Sequence, residues 1–130
     1  MIVCDTHVLV YDALGIKPLG TAARRALERA TRAGEVTCSD ASVWELAALI
    51  GSGRIPAHGE PRVDIAKILA AREVRVLPID ADIAVTATGL LAGRTDPYDR
   101  IIAATAIVHR ATLVSADERM HGIAGLKVVW

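Results

Sequence analysis

Four carboxylates occupy equivalent places in the chain, each just after an apolar, strand-like run or early in the helix-like run that follows one. They are Asp5, Glu45, Asp99 and Asp117. Carboxylate oxygens are the ligands that hard divalent cations such as Mg²⁺ and Mn²⁺ prefer in proteins. A cation held in this way polarises a phosphoryl oxygen and activates or orients a nucleophilic water, which is the chemistry of phosphodiester hydrolysis. Whether the four acids can act together depends on where the fold places them.

The stretch TDPYDR shows that such acids also have a purely structural interpretation. Asp96 is a favoured helix N-cap, and Pro97 suits the first helical position. Asp99 then lies in the first turn, where a negative charge interacts favourably with the unpaired amides and the helix dipole. Locally, nothing separates a helix start from a functional acid.

The other three acids can be explained in the same way. Asp5 could cap the first helix, and the segments Ser42–Glu45 and Ser115–Glu118 both match the capping box S-x-x-E. Each explanation is sufficient for a single residue. Several carboxylates that converge on one pocket repel one another, however, and their burial is costly unless a cation compensates the charge.

The apolar pattern predicts strands that alternate with helices. The predicted strands are residues 2–4, 35–39, 74–79, 111–114 and 127–130, and the predicted helices are residues 6–14, 20–33, 42–50, 63–71, 80–91 and 97–110. This order is typical of an α/β fold with a mostly parallel sheet of about five strands that is covered on both faces. Right-handed crossovers bring the carboxyl ends of such strands to one edge, where binding sites form. All four acids are therefore expected at the same edge.

The bulk composition limits the possible functions. The 130 residues predict one domain, with a core built from aliphatic side chains because 52% of residues are hydrophobic and only 3% are aromatic. Basic and acidic residues balance at 15 each, so the chain is not a polycation that binds nucleic acid by its net charge. Contact with phosphates would need local cations, for which Arg54, Arg94 and Arg119 are candidates in or beside loops.

The remaining composition favours a soluble cytoplasmic protein. Cys4 and Cys38 lie in apolar, strand-like runs and are interpreted as small buried side chains, since no zinc-ligand spacing is present. The N-terminal residues lack a signal-peptide pattern, and charges interrupt every apolar run well before the roughly 18 residues that a membrane span requires.

The acids lie within motifs that carry a family resemblance. In chain order these motifs are DTHVLVY, SVWELAALIGSGRI, DPYDRIIAATA, LVSADERM and KVVW. Together they resemble the motifs of PIN-domain nucleases, in particular the VapC-like toxins of bacterial toxin–antitoxin pairs. The resemblance spans the whole chain, so residues 1–130 are expected to form a single three-layer α/β/α domain.

The resemblance implies an activity and a site. It implies a Mg²⁺- or Mn²⁺-dependent endoribonuclease whose catalytic and metal-binding acids correspond to Asp5, Glu45, Asp99 and Asp117. In the family pattern the acid that precedes an arginine is the metal-site member. Asp99 therefore takes this role, and Asp96 is expected to cap the helix or to lie just outside the ligands.

The roles of the neighbouring polar residues stay open. Many PIN domains have serine or threonine where this chain has His7, which could contact phosphate or water but is interpreted mainly as a supporting residue. Thr6 and Ser115 flank the acids and could hydrogen-bond water at the cation. Arg100 follows Asp99 and could pair with the acids or contact the substrate phosphate.

The resemblance also implies partners. Such toxins are usually neutralised by a small antitoxin that inserts a segment across the active-site groove, and they usually form homodimers. The resemblance implies RNA as the substrate, and no membrane association is expected. Trp44, beside Glu45, is interpreted as a core or dimer-interface residue rather than a platform for a nucleobase, and Tyr98 has the same alternatives.

Two other functions compete with this interpretation. One is a binding protein that retains the fold without the activity, although all four acids are present. The other is a different phosphoryl-transfer protein with an acidic pocket. A phosphatase with an aspartyl nucleophile would need a second acid at the position of His7, and a receiver domain would need a lysine near Ser115; the chain has neither.

Overall fold

The computed structural model describes residues 1–90 and 96–130, and in these ranges the chain forms five strands, six α-helices and one 3₁₀ helix. The strands are β1 Ile2–Cys4, β2 Val36–Ser39, β3 Arg75–Leu77, β4 Thr112–Val114 and β5 Lys127–Val129. The helices are α1 Thr6–Leu14, α2 Thr21–Ala33, α3 Asp40–Gly51, α4 Pro61–Ala70, α5 Ala81–Gly89 and α6 Pro97–Val108, with the 3₁₀ helix at Glu118–Gly122. Leu91, the predicted end of the fifth helix, and the candidate phosphate contact Arg94 lie outside the described residues.

The five strands form one parallel sheet in the order β3-β2-β1-β4-β5. β1 lies at the centre, where Ile2 pairs with both Val36 of β2 and Thr112 of β4. The central strands β1, β2 and β4 are almost entirely buried, as expected for a parallel sheet covered on both faces. The predicted α/β class and the parallel sheet of five strands are confirmed.

Helices cover the sheet on both sides. Alternate residues of β1 separate the two faces: Ile2 and Cys4 pack in one core cluster with residues of α1, α2, α3 and α4, whereas Val3 packs in a second cluster with residues of α6. Ile83 and Ala87 of α5 extend the second side by packing against α6. The three-layer arrangement is therefore confirmed, with an aliphatic core on each side of the sheet.

The two cysteines lie in the first of these cores. Cys4 and Cys38 are both free and completely buried, which confirms their interpretation as small core side chains. Burial raises the pKa of the Cys38 thiol to about 12, so this group stays protonated at neutral pH. Within the described residues, the helices are all too short or too polar to cross a bilayer.

Gly20, the residue before α2, lies against Trp130 with no room for a side chain. A Cβ atom at Gly20 would lie 3.0 Å from the Cδ1 atom of Trp130 and closer still to its carbonyl carbon. We expect Gly20→Ala to lower the free energy of unfolding by about 1–3 kcal/mol, because two backbone segments would have to separate. Urea denaturation followed by circular dichroism measures this change.

Gly51→Ala is the matched control for this prediction. Gly51 ends α3, and no described neighbour lies within 4 Å of a Cβ atom built there. Its substitution should leave stability unchanged or raise it slightly, since alanine favours the helix. Equal denaturation midpoints for the two variants would contradict a constrained contact between Gly20 and Trp130.

Candidate active site

Asp5 and Ser115 lie side by side at the carboxyl ends of the neighbouring strands β1 and β4. The Asp5 amide donates to the Val114 carbonyl oxygen at 3.0 Å, which continues the strand pairing by one residue. The fully buried Ser115 hydroxyl donates to Asp5 Oδ2 at 2.5 Å and accepts from the Asp117 amide at 3.1 Å. Ser115 therefore links two of the four acids. The alternative of a capping box at residues 115–118 does not hold, because Asp117 and not Ser115 is the N-cap of the 3₁₀ helix.

Glu45 joins the site through Thr6, the first residue of α1. The Thr6 hydroxyl is completely buried and donates to Glu45 Oε2 at 2.5 Å. The alternative of a capping box at residues 42–45 does not hold either, because α3 begins at Asp40 with Ser39 as its N-cap and Glu45 lies in the second turn. In residues 1–90 and 96–130 the buried Ser42 hydroxyl has no hydrogen-bond partner.

Arg119 connects the two remaining acids. Its Nη2 atom donates to Asp99 Oδ2 at 3.1 Å and to Asp117 Oδ2 at 2.6 Å. Its Nε atom also donates to Asp117 Oδ1 at 2.9 Å. One guanidinium thus lies between carboxylates from two elements, the first turn of α6 and the turn after β4, and compensates part of their charge.

The pKa values report the charge that accumulates at this edge. Burial raises the pKa of Glu45, and the charges of Asp5 and Asp99 raise it further, against the hydrogen bond from Thr6. Burial and the charge of Asp5 likewise raise the pKa of Asp99, although Arg119 opposes this shift. The hydrogen bonds from Arg119 hold the pKa of Asp117 below its usual range. The charges of Asp5, Glu45 and Asp99 therefore influence one another, whereas the charge of Asp117 is compensated by Arg119.

Two polar residues predicted near the site lie at its margin. The His7 imidazole is exposed and has its Nδ1 atom 3.8 Å from Asp5 Oδ1, and interaction with Asp5 raises its pKa. Asp96 is exposed and caps α6 by accepting from the Tyr98 amide at 2.8 Å. The predicted cap at Asp96 is confirmed.

The structure does not bring Arg100 to the carboxylates. The Arg100 side chain lines a cavity of about 240 Å³ between α5 and α6, with Ile79, Pro97 and Ile101 among the other lining residues. Its Nε atom is buried and has no hydrogen-bond partner among the described residues. Although Arg100 directly follows Asp99 in the sequence, its side chain lies between α5 and α6.

The donor chemistry of the site fits a hard divalent cation. The four acids offer oxygen ligands only, and one guanidinium is a small compensation for four carboxylates. In the described part of the chain, however, no three acidic, histidine or cysteine side chains already form a group placed to hold a metal ion. Thr6, Ser115 and Arg119 instead occupy oxygens of the four carboxylates.

Sequence reasoning missed two features of this edge. It considered Arg119 as a phosphate contact but not as a partner of the acids, although its place two residues after Asp117 at a helix start makes such a contact possible. It also did not pair Trp44 with Tyr98, whose rings stack with centroids 4.4 Å apart and planes 11° apart. Trp44 is 56% exposed, so its interpretation as a core residue is wrong.

Known proteins share this fold over its full length. The structure of VapBC2 from Rickettsia felis bound to a promoter DNA fragment contains a chain that is 18% identical, with a TM-score of 0.70 and coverage of 99% of this chain and 98% of that one. A toxin-antitoxin complex from Klebsiella pneumoniae gives 25% identity, a TM-score of 0.64 and coverages of 100% and 97%. A chain of FitAcB from Neisseria gonorrhoeae is 22% identical, with a TM-score of 0.65 and coverage of 100% of this chain and 97% of that one.

The family follows from the sequence itself. No functionally curated protein matches the chain at a significant level. The sequence model of the PIN domain, in contrast, matches residues 2–126, which is nearly the whole chain. The parallel sheet and the acids at its carboxyl edge agree with that match, and the chain belongs to the PIN-domain family.

Proposed function

We propose that the chain is a Mg²⁺- or Mn²⁺-dependent endoribonuclease and the toxin of a toxin–antitoxin pair. The observation that carries the proposal is the meeting of four carboxylates, from four separate segments, at the carboxyl edge of the parallel sheet. Membership of the PIN-domain family supports nuclease chemistry. The raised pKa values of Glu45 and Asp99 support a site that gains stability from added positive charge.

Asp5, Glu45, Asp99 and Asp117 would hold the cation, and their neighbours keep them in place. A bound Mg²⁺ or Mn²⁺ would supply the positive charge that polarises a phosphoryl oxygen and activates water. Thr6 and Ser115 fix the orientation of Glu45 and Asp5 through short hydrogen bonds. His7, exposed at the margin with a pKa that its interaction with Asp5 raises, would contact the anionic substrate.

The proposal includes a protein partner. The similar structures include toxin-antitoxin complexes, so a cognate antitoxin is the expected partner in the cytoplasm. The resemblance to VapC-like toxins also implies that the chain forms a homodimer. A basic antitoxin side chain could compensate the charge of the acidic edge, as Arg119 already does for Asp99 and Asp117.

Asp99→Asn tests the activity and the site together. We expect Mg²⁺-dependent cleavage of RNA to fall by on the order of 100-fold or more, because even partners outside the metal ligands contribute 10- to 100-fold in such sites. The amide keeps the size of the carboxylate but removes its charge. Gel analysis of a labelled single-stranded RNA, with and without EDTA, measures the loss.

Asp82→Asn is the control for that assay. Asp82 is also an aspartate in the first turn of a helix, but it is exposed to solvent. Its substitution should leave cleavage unchanged. The site assignment would be overturned if Asp99→Asn cut RNA as fast as the wild type. The enzymatic proposal would be overturned if the wild type cut no RNA with either cation, as an inactive binding protein would behave.

Arg119→Met tests whether the arginine takes the place of a cation. Without the guanidinium, Asp99 and Asp117 repel each other, so the melting temperature in EDTA should fall. The increase in melting temperature on addition of Mn²⁺ should exceed that of the wild type, because the cation then has no competing charge. Thermal denaturation with and without Mn²⁺ measures both effects.

Arg62→Met controls for the general loss of a surface ion pair. Arg62 pairs with Glu60 at 3.2 Å, and both side chains are largely exposed, so little stability is at stake. This variant should respond to Mn²⁺ as the wild type does. A response of Arg119→Met that is no larger than that of the wild type would show that the arginine and the cation do not compete.

A further inference from the structure

Two aromatic side chains form a stacked pair beside the acids. Trp44 of α3 precedes Glu45, and Tyr98 of α6 precedes Asp99. Their ring centroids are 4.4 Å apart and their planes differ by 11°. The chain has only two tryptophans, two tyrosines and no phenylalanine, so half of its aromatic side chains lie in this one pair.

Packing in the core does not explain the exposed indole of this pair. Trp44 is 56% exposed although Tyr98 covers one of its faces, which leaves a large apolar surface in contact with water. Tyr98 is half-buried and packs against the second core cluster, so it anchors the stack. Stacking on Tyr98 favours one orientation of the indole, which lowers the conformational entropy cost of binding to its open face.

The open indole lies in a groove that contains one of the acids. The groove has a volume of about 360 Å³ and is bounded by α3 and the start of α6. Trp44 and Glu45 both line it, together with Tyr98 and the exposed Arg54. Asp96 lines the groove as well, so one depression contains a stacking surface, two carboxylates and the guanidinium of Arg54.

We propose that this pair is the platform for an unpaired nucleobase of a single-stranded RNA substrate, with Arg54 contacting a phosphate of the same strand. The inference rests on the proposed ribonuclease function. Aromatic side chains that stack on bases, combined with cations along the backbone, are the usual means of binding single strands. A duplex does not offer a free base face, so its bases stay stacked on one another and out of the groove.

The shared groove favours RNA over a second copy of the chain as the occupant. A base on Trp44 lies within the depression that Glu45 lines, so the strand continues directly toward the acids. Arg54 is the one cation among the described residues that line the groove, so a phosphate of the strand would lie at Arg54 and away from the carboxylates of Glu45 and Asp96. If Trp44 instead formed a dimer contact, the oligomeric state would depend on the indole, and sedimentation of Trp44→Ala would show this.

Tryptophan fluorescence reports the contact directly. In the double variant Asp99→Asn/Trp130→Phe, Trp44 is the single tryptophan and the RNA stays intact in the presence of Mg²⁺. A short single-stranded oligoribonucleotide should quench its emission saturably, whereas the same sequence as a duplex should not. Asp99→Asn/Trp44→Phe, which keeps only Trp130, should show no saturable quenching. Equal quenching of the two variants, or none in the first, would overturn the platform.

Kinetics separate the platform from the catalytic site. Trp44→Ala should raise KM for a single-stranded substrate by about 5- to 100-fold with little change in kcat, and Trp44→Phe should restore part of the loss. Val85→Ala, which truncates an apolar side chain that is 72% exposed on α5, should leave both constants unchanged. An unchanged KM in Trp44→Ala would overturn the proposal.

Sedimentation distinguishes the alternative occupant. Trp44→Ala should keep the oligomeric state of the wild type, and its loss of a dimer with unchanged RNA affinity would assign the indole to a protein interface. Failure of the ribonuclease proposal is recognised separately. In that case the wild type would not cleave RNA, while saturable quenching at Trp44 would still establish the binding platform.

Discussion

Repulsion among carboxylates at the carboxyl edge of the sheet is the constraint on which the rest of the site depends. The fold buries Glu45 and Asp99 enough to raise their pKa values and keeps both within the electrostatic influence of Asp5. Such an arrangement is stable only if donors and positive charge compensate it. Thr6, Ser115 and Arg119 provide this compensation from within the chain, and a bound cation would provide it more completely.

The fold itself was largely predictable because parallel sheets leave a strong sequence pattern. Short aliphatic runs such as residues 2–4 and 111–114 are buried on both faces, and the helices between them are bounded by caps such as Asp96. The start of α3 was misplaced because Ser39 and Ser42 are both acceptable caps. The chain uses Ser39 since β2 ends there, which is a tertiary constraint that local propensity does not contain.

The position of the acids at one edge of the sheet was predictable, but their hydrogen-bond partners were not. Asp5 and Asp117 each follow a predicted strand closely, and the carboxyl ends of parallel strands meet at one edge. The bond from Thr6 to Glu45 spans 39 positions and that from Ser115 to Asp5 spans 110, so no local motif predicts either one. Arg100 could have paired with the acids because it follows Asp99 in the sequence, but its side chain lies between α5 and α6 instead. The stacking of Trp44 on Tyr98 likewise depends on how α3 meets α6.

Calorimetric titration of Mn²⁺ into the wild type, Asp5→Asn and Glu45→Gln at neutral pH tests the central claim most directly. If the carboxylate edge is a metal site, the wild type should bind Mn²⁺ saturably, and each substitution should weaken binding by on the order of 10- to 100-fold or more. Asp5 is the N-cap of α1 and Glu45 lies in α3, so weaker Mn²⁺ binding in both variants would locate the cation between these two elements. Equal affinity in all three proteins would contradict the account.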